Sequence, residues 1–377
     1  MRVALVHGRA DPALDGVADY TARLAGALRE QSLDVVDVAV DPGPRGALAA
    51  ARAVRRARPD VVHVQFAPSA FGFSAAPGLL PDLLGGVPLV TTVHEYGWWT
   101  WARRVPDAVW RRVERRRVLD RETGRLVPAS AAVLTTNDAH DAALHARLGT
   151  AATRAPLLPN VDVDPAAPPR AVVRRTLGVP SDAELVVFFG FVHPVKGLRY
   201  LVDAVAALAV EHPRLHLLVV GGFTSLALPA DEAAAFRAEL TEHVERSGAA
   251  ARVTITGHLP AAEVSAALQA ADVAALPFTA GVTRKSGSLL AVLAHGLPTL
   301  VTDAGDPGLV DAATVITVGR VRDAGALVDG LRRLLDEPGL AARVAAGGRE
   351  LVAGHSWAAL AATHAEVYRT VVDGAAR

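Results

Sequence analysis

The chain has 377 residues, 51% of them hydrophobic and 21% charged, and its 39 basic and 39 acidic side chains leave a formal net charge of +0. That length suits two domains better than one core, and the charge balance excludes a global electrostatic pull toward nucleic acid. Cysteine is absent, which excludes disulfides, thiolate nucleophiles and cysteine-ligated zinc.

The opening MRVALVHGRADPALDGVADY turns polar too soon for a signal peptide. No apolar run reaches the ~20 residues of a spanning helix, so a cytoplasmic protein is expected. In chain order, strand-like runs fall at 2–7, 34–40, 60–66, 88–94 and 131–136. A second series follows at 184–190, 214–222, 252–257, 272–277, 298–302 and 314–318. These runs are Val/Leu-rich on both faces, as buried parallel strands are. Amphipathic helical patterns lie between them at 17–30, 197–211, 231–247, 260–270 and 321–336, and a last one covers 355–372. Alternation of this kind, occurring twice, predicts an α/β protein with two Rossmann-like, doubly wound parallel-sheet domains facing a cleft. The proline-rich stretch LPNVDVDPAAPPRA (158–171) breaks both periodicities and marks the linker. The expected division is 1–164, 165–355 and a C-terminal helix over 356–377, packing back toward the first domain.

In such sheets ligands bind beyond the carboxyl ends of the strands, so the residues after each strand carry the chemistry. After the first strand, Gly16 opens a helix where backbone amides can approach an anion; an ordinary turn glycine is the plainer account. After 88–94 come His94 and Glu95, at a strand's C-terminal end. After 184–190 comes FVHPVKG. Lysine occurs only at Lys196 and Lys285 in a chain that otherwise uses arginine. Lys196 stands where a helix begins, and a cation there opposes the helix dipole unless an anion sits between them. After 272–277 comes FTAGVTRKSGS, then a short helix. Arg284 and Lys285 supply charge; Ser286, Gly287 and Ser288 supply hydroxyls and approachable amides. The two lysine loops thus read as one diphosphate site. No G-x-G-x-x-G follows the first strand, which disfavours a dehydrogenase.

Taken in order, GVADY, PDVVHVQF, TTVHEYG, LPNVDVD, FGFVHPVKGLRYLVDA, ITGHLPAAEVSAALQAADVAALPF and SGSLLAVLAHGLPTL cover nearly the whole chain. The chain resembles a retaining glycosyltransferase of the GT-B fold, family 4, the group 1 glycosyltransferases. The resemblance implies a first domain that binds the acceptor and a second that binds a nucleotide-diphosphate sugar as co-substrate. No cofactor and no metal are implied; the triplet at Asp162–Asp164 is read as linker. Lys196 then binds the donor diphosphate, with Arg284, Lys285 and the Ser286–Ser288 amides around it. His94 lies near the donor sugar, Gly16, Glu95 and Thr283 belong to the donor or acceptor loops, and Gly257, His258 and Leu259 line the base pocket. Retention implies front-face attack, with a donor phosphate oxygen taking the acceptor proton and no protein nucleophile.

Two departures stand out. The basic partner of the lysine is replaced by Phe191. The family's paired glutamates fall at Thr283 and Ala291, so both carboxylates are missing. A non-catalytic sugar-nucleotide-binding homologue, or a sugar-nucleotide epimerase on the same fold, therefore stand as alternatives.

Trp98, Trp99, Trp101 and Trp110 interleave with Arg103, Arg104, Arg111, Arg112, Arg115, Arg116 and Arg117. Three readings compete for Trp98–Arg117. The rings stack on an acceptor saccharide. The face sits on the inner side of an anionic membrane and collects a lipid-linked acceptor. Or the tryptophans are core and the arginines a solvated face tied to Asp107, Glu114, Asp120 and Glu122. Single-stranded nucleic acid suits similar residues, but the family pattern argues against it.

Overall fold

The computed structural model describes residues 1–9, 11, 15–223 and 230–375. It divides into two compact units, Met1–Leu157 with Gly354–Arg377, and Leu158–Ala353.

The first unit holds β1 (Arg2–Gly8), β2 (Asp34–Val40), β3 (Val61–Phe66), β4 (Leu89–Val93), β5 (Ala132–Thr135) and β6 (Thr153–Arg154), in the order β2-β1-β3-β4-β5-β6. Every pairing is parallel. β3 and β4 are buried along their whole length, which is why these runs are mostly apolar, although they also bury His63, Gln65, Thr91 and Thr92. The unpredicted β6 is a two-residue edge pairing beside β5, too short to carry an alternation. The helices are α1 (Gly16–Glu30), α2 (Pro44–Ala57), α3 (Leu80–Leu83), α4 (Asp107–Arg115), α5 (Leu126–Ala129) and α6 (Asp138–Leu148). Side-chain caps set two of their starts: Asp15 accepts from the Ala18 amide at 2.8 Å and Asn137 from the His140 amide at 3.0 Å.

The second unit holds β7 (Glu184–Phe189), β8 (Leu215–Val220), β9 (Val253–Ile255), β10 (Val273–Leu276), β11 (Thr299–Thr302) and β12 (Ile316–Val318), in the order β12-β11-β10-β7-β8-β9, again all parallel. Its helices are α7 (Arg170–Thr176), α8 (Leu198–Leu208), α9 (Ala230–Arg246), α10 (Ala261–Ala270), α11 (Gly287–Ala294), α12 (Ala324–Asp336) and α13 (Pro338–Val352). The chain then returns to the first unit as α14 (Trp357–Ala375). Leu360, Ala361, His364, Ala365, Tyr368 and Val371 form its buried stripe. Gln31 fastens its start, donating to the Ala358 carbonyl at 2.7 Å.

The boundary falls after Leu157 rather than after 164. The proline-rich stretch belongs with the second unit because its backbone is tied there. The Asp164 amide donates to Ser265 Oγ, and Gln269 donates to the Asp164 carbonyl, each at 2.8 Å. α7 begins inside the expected linker, and its buried Arg174 donates to the carbonyls of Ala270, Ser181 and Ala183.

Candidate functional site

In the second unit the strand order reverses between β7 and β10. That is the switch point at which open parallel sheets leave a crevice beyond their carboxyl ends. The loops that follow these two strands carry the two lysines, and they are stitched together. The Thr279 amide donates to the Val195 carbonyl at 2.8 Å, and its hydroxyl to the same oxygen at 3.2 Å. A methyl group built on Gly197 (φ +71) would lie 2.0 Å from the Pro277 carbonyl oxygen, and one on Gly190 (φ +136) 2.7 Å from Ser288 Oγ. Gly197 is therefore demanded for conformation and for space, and Gly190 for conformation.

Lys196 closes a short 3₁₀ turn, Pro194–Lys196, capped by His193, whose Nδ1 accepts from the Val195 amide at 3.2 Å. α8 starts two residues later, at Leu198. The Lys196 ammonium lies 3.6 Å from the centroid of the Phe278 ring, and burial pushes its pKa down to about 8. It is a desolvated cation on an aromatic face, beside a helix start. An anion in this place would relieve both the desolvation and the dipole.

The RKSGS residues divide into two kinds. Arg284 is held by Asp306: its guanidinium Nε and its amide each donate to that carboxylate at 2.8 Å. Burial raises the Asp306 carboxyl, but the Arg284 and Gly308 amides and the Arg284 side chain outweigh it and hold the pKa below the usual range. Ser286 caps α11, its Oγ accepting from the Leu289 amide. The first-turn amides of Gly287 and Ser288 are donors of the kind that helices leave unpaired. Lys285 is exposed on the turn before them, and Thr283 builds that turn, its carbonyl accepting from the Ser286 amide at 3.0 Å. Asn160, from the proline-rich stretch, packs against Gly287, 3.2 Å from the place of a Cβ; no local pattern announces it. Ala291 is fully buried inside α11.

Gly257 (φ +74) bridges to Gly221 beyond β8 and β9. His258 follows it, exposed, with its amide 3.3 Å from a Cβ built on Gly222; Leu259 is half-buried. These three residues stand farther along the same carboxyl edge, with β8 between β9 and β7. Phe191 is half-buried at the start of the lysine loop.

In the first unit, Gly16 is exposed at the first position of α1, and a Cβ built there would meet nothing within 4 Å. Among the described residues, no contact demands glycine at that position. His94 follows β4, half-buried, its ring in a T-shaped contact with Tyr20 at 4.8 Å between centroids. Its Nε2 lies 2.7 Å from Gln65 Oε1. Burial, with His140 and His364 nearby, pushes its pKa down to about 3, so it is neutral at physiological pH. Glu95 accepts from the Ser69 hydroxyl at 3.1 Å.

The Trp/Arg stretch is a composite. Trp99 and Trp110 are core, whereas Trp98 is 60% exposed and Trp101 39%. The acids expected to neutralise the arginines are engaged elsewhere. Glu114 and Asp107 bind Arg121, Glu122 binds Arg147, and Asp120 accepts from the Tyr96 hydroxyl. None of Arg103, Arg104, Arg111, Arg112, Arg115, Arg116 and Arg117 forms an ion pair among the described residues. All seven are exposed.

Residues 183–337 match the family model "Glycosyl transferases group 1", and residues 40–164 match "Glycosyltransferase Family 4". A D-inositol 3-phosphate glycosyltransferase of Salinispora arenicola is 30% identical over 338 residues, covering 83% of this chain and 69% of the relative. The same-named protein of Kineococcus radiotolerans is 32% identical over 222 residues, covering 55% of this chain and 49% of its own length. The chain thus matches about half the length of that relative. Among solved structures, Anabaena HepE in complex with UDP and glucose superposes with a TM-score of 0.69 at 16% identity, covering 98% of this chain and 100% of the other.

Proposed function

From the premise that this chain belongs to the family 4, group 1 glycosyltransferases of the GT-B fold, we propose that it transfers a sugar from a nucleotide-diphosphate donor to a hydroxyl acceptor with retention of configuration. One observation carries the reading: a desolvated Lys196 and the first-turn amides of α11 stand on adjoining loops at the switch point of the second sheet. Positive charge and preorganised amides are what a leaving diphosphate requires as charge develops on it. In this reading Lys196, Lys285, Gly287 and Ser288 hold the diphosphate, and Arg284, clamped by Asp306, shapes the loop and adds charge. Gly257–Leu259 meet the base and His94 meets the sugar. A phosphate oxygen of the donor takes the acceptor proton, so the reaction needs neither a metal nor a protein nucleophile.

The donor is a uridine-type nucleotide sugar, as the UDP complex of the similar fold suggests. The acceptor class is a polyol phosphate, by analogy with the names of the curated relatives. No described helix is long and apolar enough to cross a membrane. Contact with an anionic membrane surface belongs to this proposal through Trp98, Trp101 and the seven arginines.

The absence of both glutamates, at Thr283 and at the buried Ala291, favours one second reading, a protein that binds sugar nucleotides without turning them over. A donor panel separates the two. Release of nucleoside diphosphate only when acceptor is present, undiminished by chelator, supports transfer. Tight binding with no release across inositol phosphates, saccharides and lipid-linked acceptors supports the second reading.

A further inference from the structure

A chain of buried polar side chains runs from His94 through the first sheet to the C-terminal helix, and the family reading leaves it without a task. Gln65, His63 and Tyr368 are fully buried. Gln65 Oε1 lies 2.7 Å from His94 Nε2. Gln65 Nε2 lies 3.1 Å from His63 Nε2, which also meets the Thr92 hydroxyl at 2.8 Å. His63 Nδ1 lies 2.6 Å from the Tyr368 hydroxyl.

The direction of the His94 bond follows from the donor inventory. A carboxamide oxygen only accepts, so His94 Nε2 carries its proton toward Gln65. A neutral imidazole holds one proton, so Nδ1 of His94 is left as an acceptor. The carboxamide is kept from turning over by its other end. Gln65 Nε2 lies 3.1 Å from His63 Nε2 and 3.4 Å from His63 Nδ1, so the amide rests on the face of the imidazole, whose in-plane nitrogens meet the Thr92 and Tyr368 hydroxyls. A reversed Gln65 would set its carbonyl oxygen, in place of an N–H, against the electron-rich face of that ring.

We propose that Gln65 is a positioning residue that locks His94 in its Nε2–H tautomer and so presents Nδ1 as an acceptor for a hydroxyl of the transferred sugar. The role assigned to the sugar rests on the transferase reading above; the tautomer does not. A hydroxyl that donates to Nδ1 is held with a defined direction. The opposite tautomer would present N–H instead and select a sugar oxygen with no proton to give.

The test is nitrogen NMR of the full-length chain labelled at histidine, without ligand, with the His94 signals identified by their loss in His94→Ala. The expected wild-type spectrum has a protonated Nε2 and a bare Nδ1. Gln65→Leu removes the acceptor, so a population of Nδ1–H appears, and kcat/KM with the best donor of the panel falls by about tenfold, the scale of one lost hydrogen bond. A wild type with Nδ1 protonated overturns the assignment, as does a Gln65→Leu protein whose His94 signals are unmoved. Should Gln65→Leu fail to fold, the wild-type spectrum alone decides the tautomer. Full turnover by His94→Ala removes the sugar role and with it the proposal. A wild type inert toward every donor, yet with Nε2–H in place, strikes the transferase reading and leaves the tautomer standing.

Discussion

Replacing Lys196 by methionine should stabilise the empty protein while weakening its ligand binding. Burial lowers the pKa of this ammonium from 10.5 to about 8. At 1.36 kcal/mol per pH unit, holding it charged in the folded chain costs about 3 kcal/mol. The Phe278 face at 3.6 Å returns about 1 kcal/mol of that. The sign follows from proton counting. Between about pH 8 and 10.5 the unfolded chain holds the lysine proton and the folded chain does not, so wild-type stability rises with pH across that window. Below it the penalty is present in full. Lys196→Met keeps the length of the side chain and removes the charge. Relative to wild type it should be about 2 kcal/mol more stable near pH 7, with the advantage shrinking toward about pH 10. The same change should weaken UDP binding by more than about 1 kcal/mol, because a charge-assisted hydrogen bond to phosphate is lost. Urea denaturation at the two pH values reads the first effect and titration calorimetry with UDP the second. A variant less stable than wild type at neutral pH, or a stability difference that ignores pH, refutes the burial argument. Unchanged UDP affinity refutes the phosphate site.

Wild-type affinity for UDP should itself decline as pH rises past about 8, where the free protein loses the Lys196 proton; calorimetry across that range follows it. Gly197→Ala meets both a φ of +71 and the Pro277 carbonyl, and should cost at least about 2 kcal/mol in a denaturant melt. Burial holds His94 down to about 3 and His364 to about 4, and keeps His63 well below its ordinary 6.5. The unfolded chain therefore binds more protons once pH drops below 6.5, and stability should fall by up to about 1.4 kcal/mol per pH unit for each such histidine. A pH series of melts shows it, with a shallower slope in His364→Gln. Replacing Trp98 by Ser together with Arg111→Glu and Arg112→Glu should lower co-sedimentation with phosphatidylserine vesicles at least about tenfold, at about 1 kcal/mol per surface arginine. Equal retention on neutral vesicles would argue against an electrostatic face.

Much of the architecture could be read before folding. A strand buried on both faces is mostly apolar, so RVALVH, DVVHVQF and ELVVFF announced themselves, and proline at 165, 168 and 169 announced a break. What failed was what has no period. Thr153–Arg154 is a strand only because β5 is beside it. The boundary falls at the first residue of the break and the rest of it joins the second unit, because Ser265 and Gln269 capture the Asp164 backbone from about a hundred residues away in sequence. Residue chemistry singled out Lys196, a rare ammonium after a strand, but could not foresee that Arg284 is engaged by Asp306 or that the acids near the arginine-rich helix serve Arg121 and Arg147.

Local sequence thus determined which segments become strands and helices and which loops fall at the carboxyl edges, because periodicity and turn chemistry act within a few residues. Only the tertiary structure decided that the loops after β7 and β10 interlock, and that His94 answers to Gln65, His63 and a tyrosine on the last helix. Such pairings depend on which strands become neighbours when the sheet closes, and hydrogen bonds across long sequence separations leave no trace in a short window of residues.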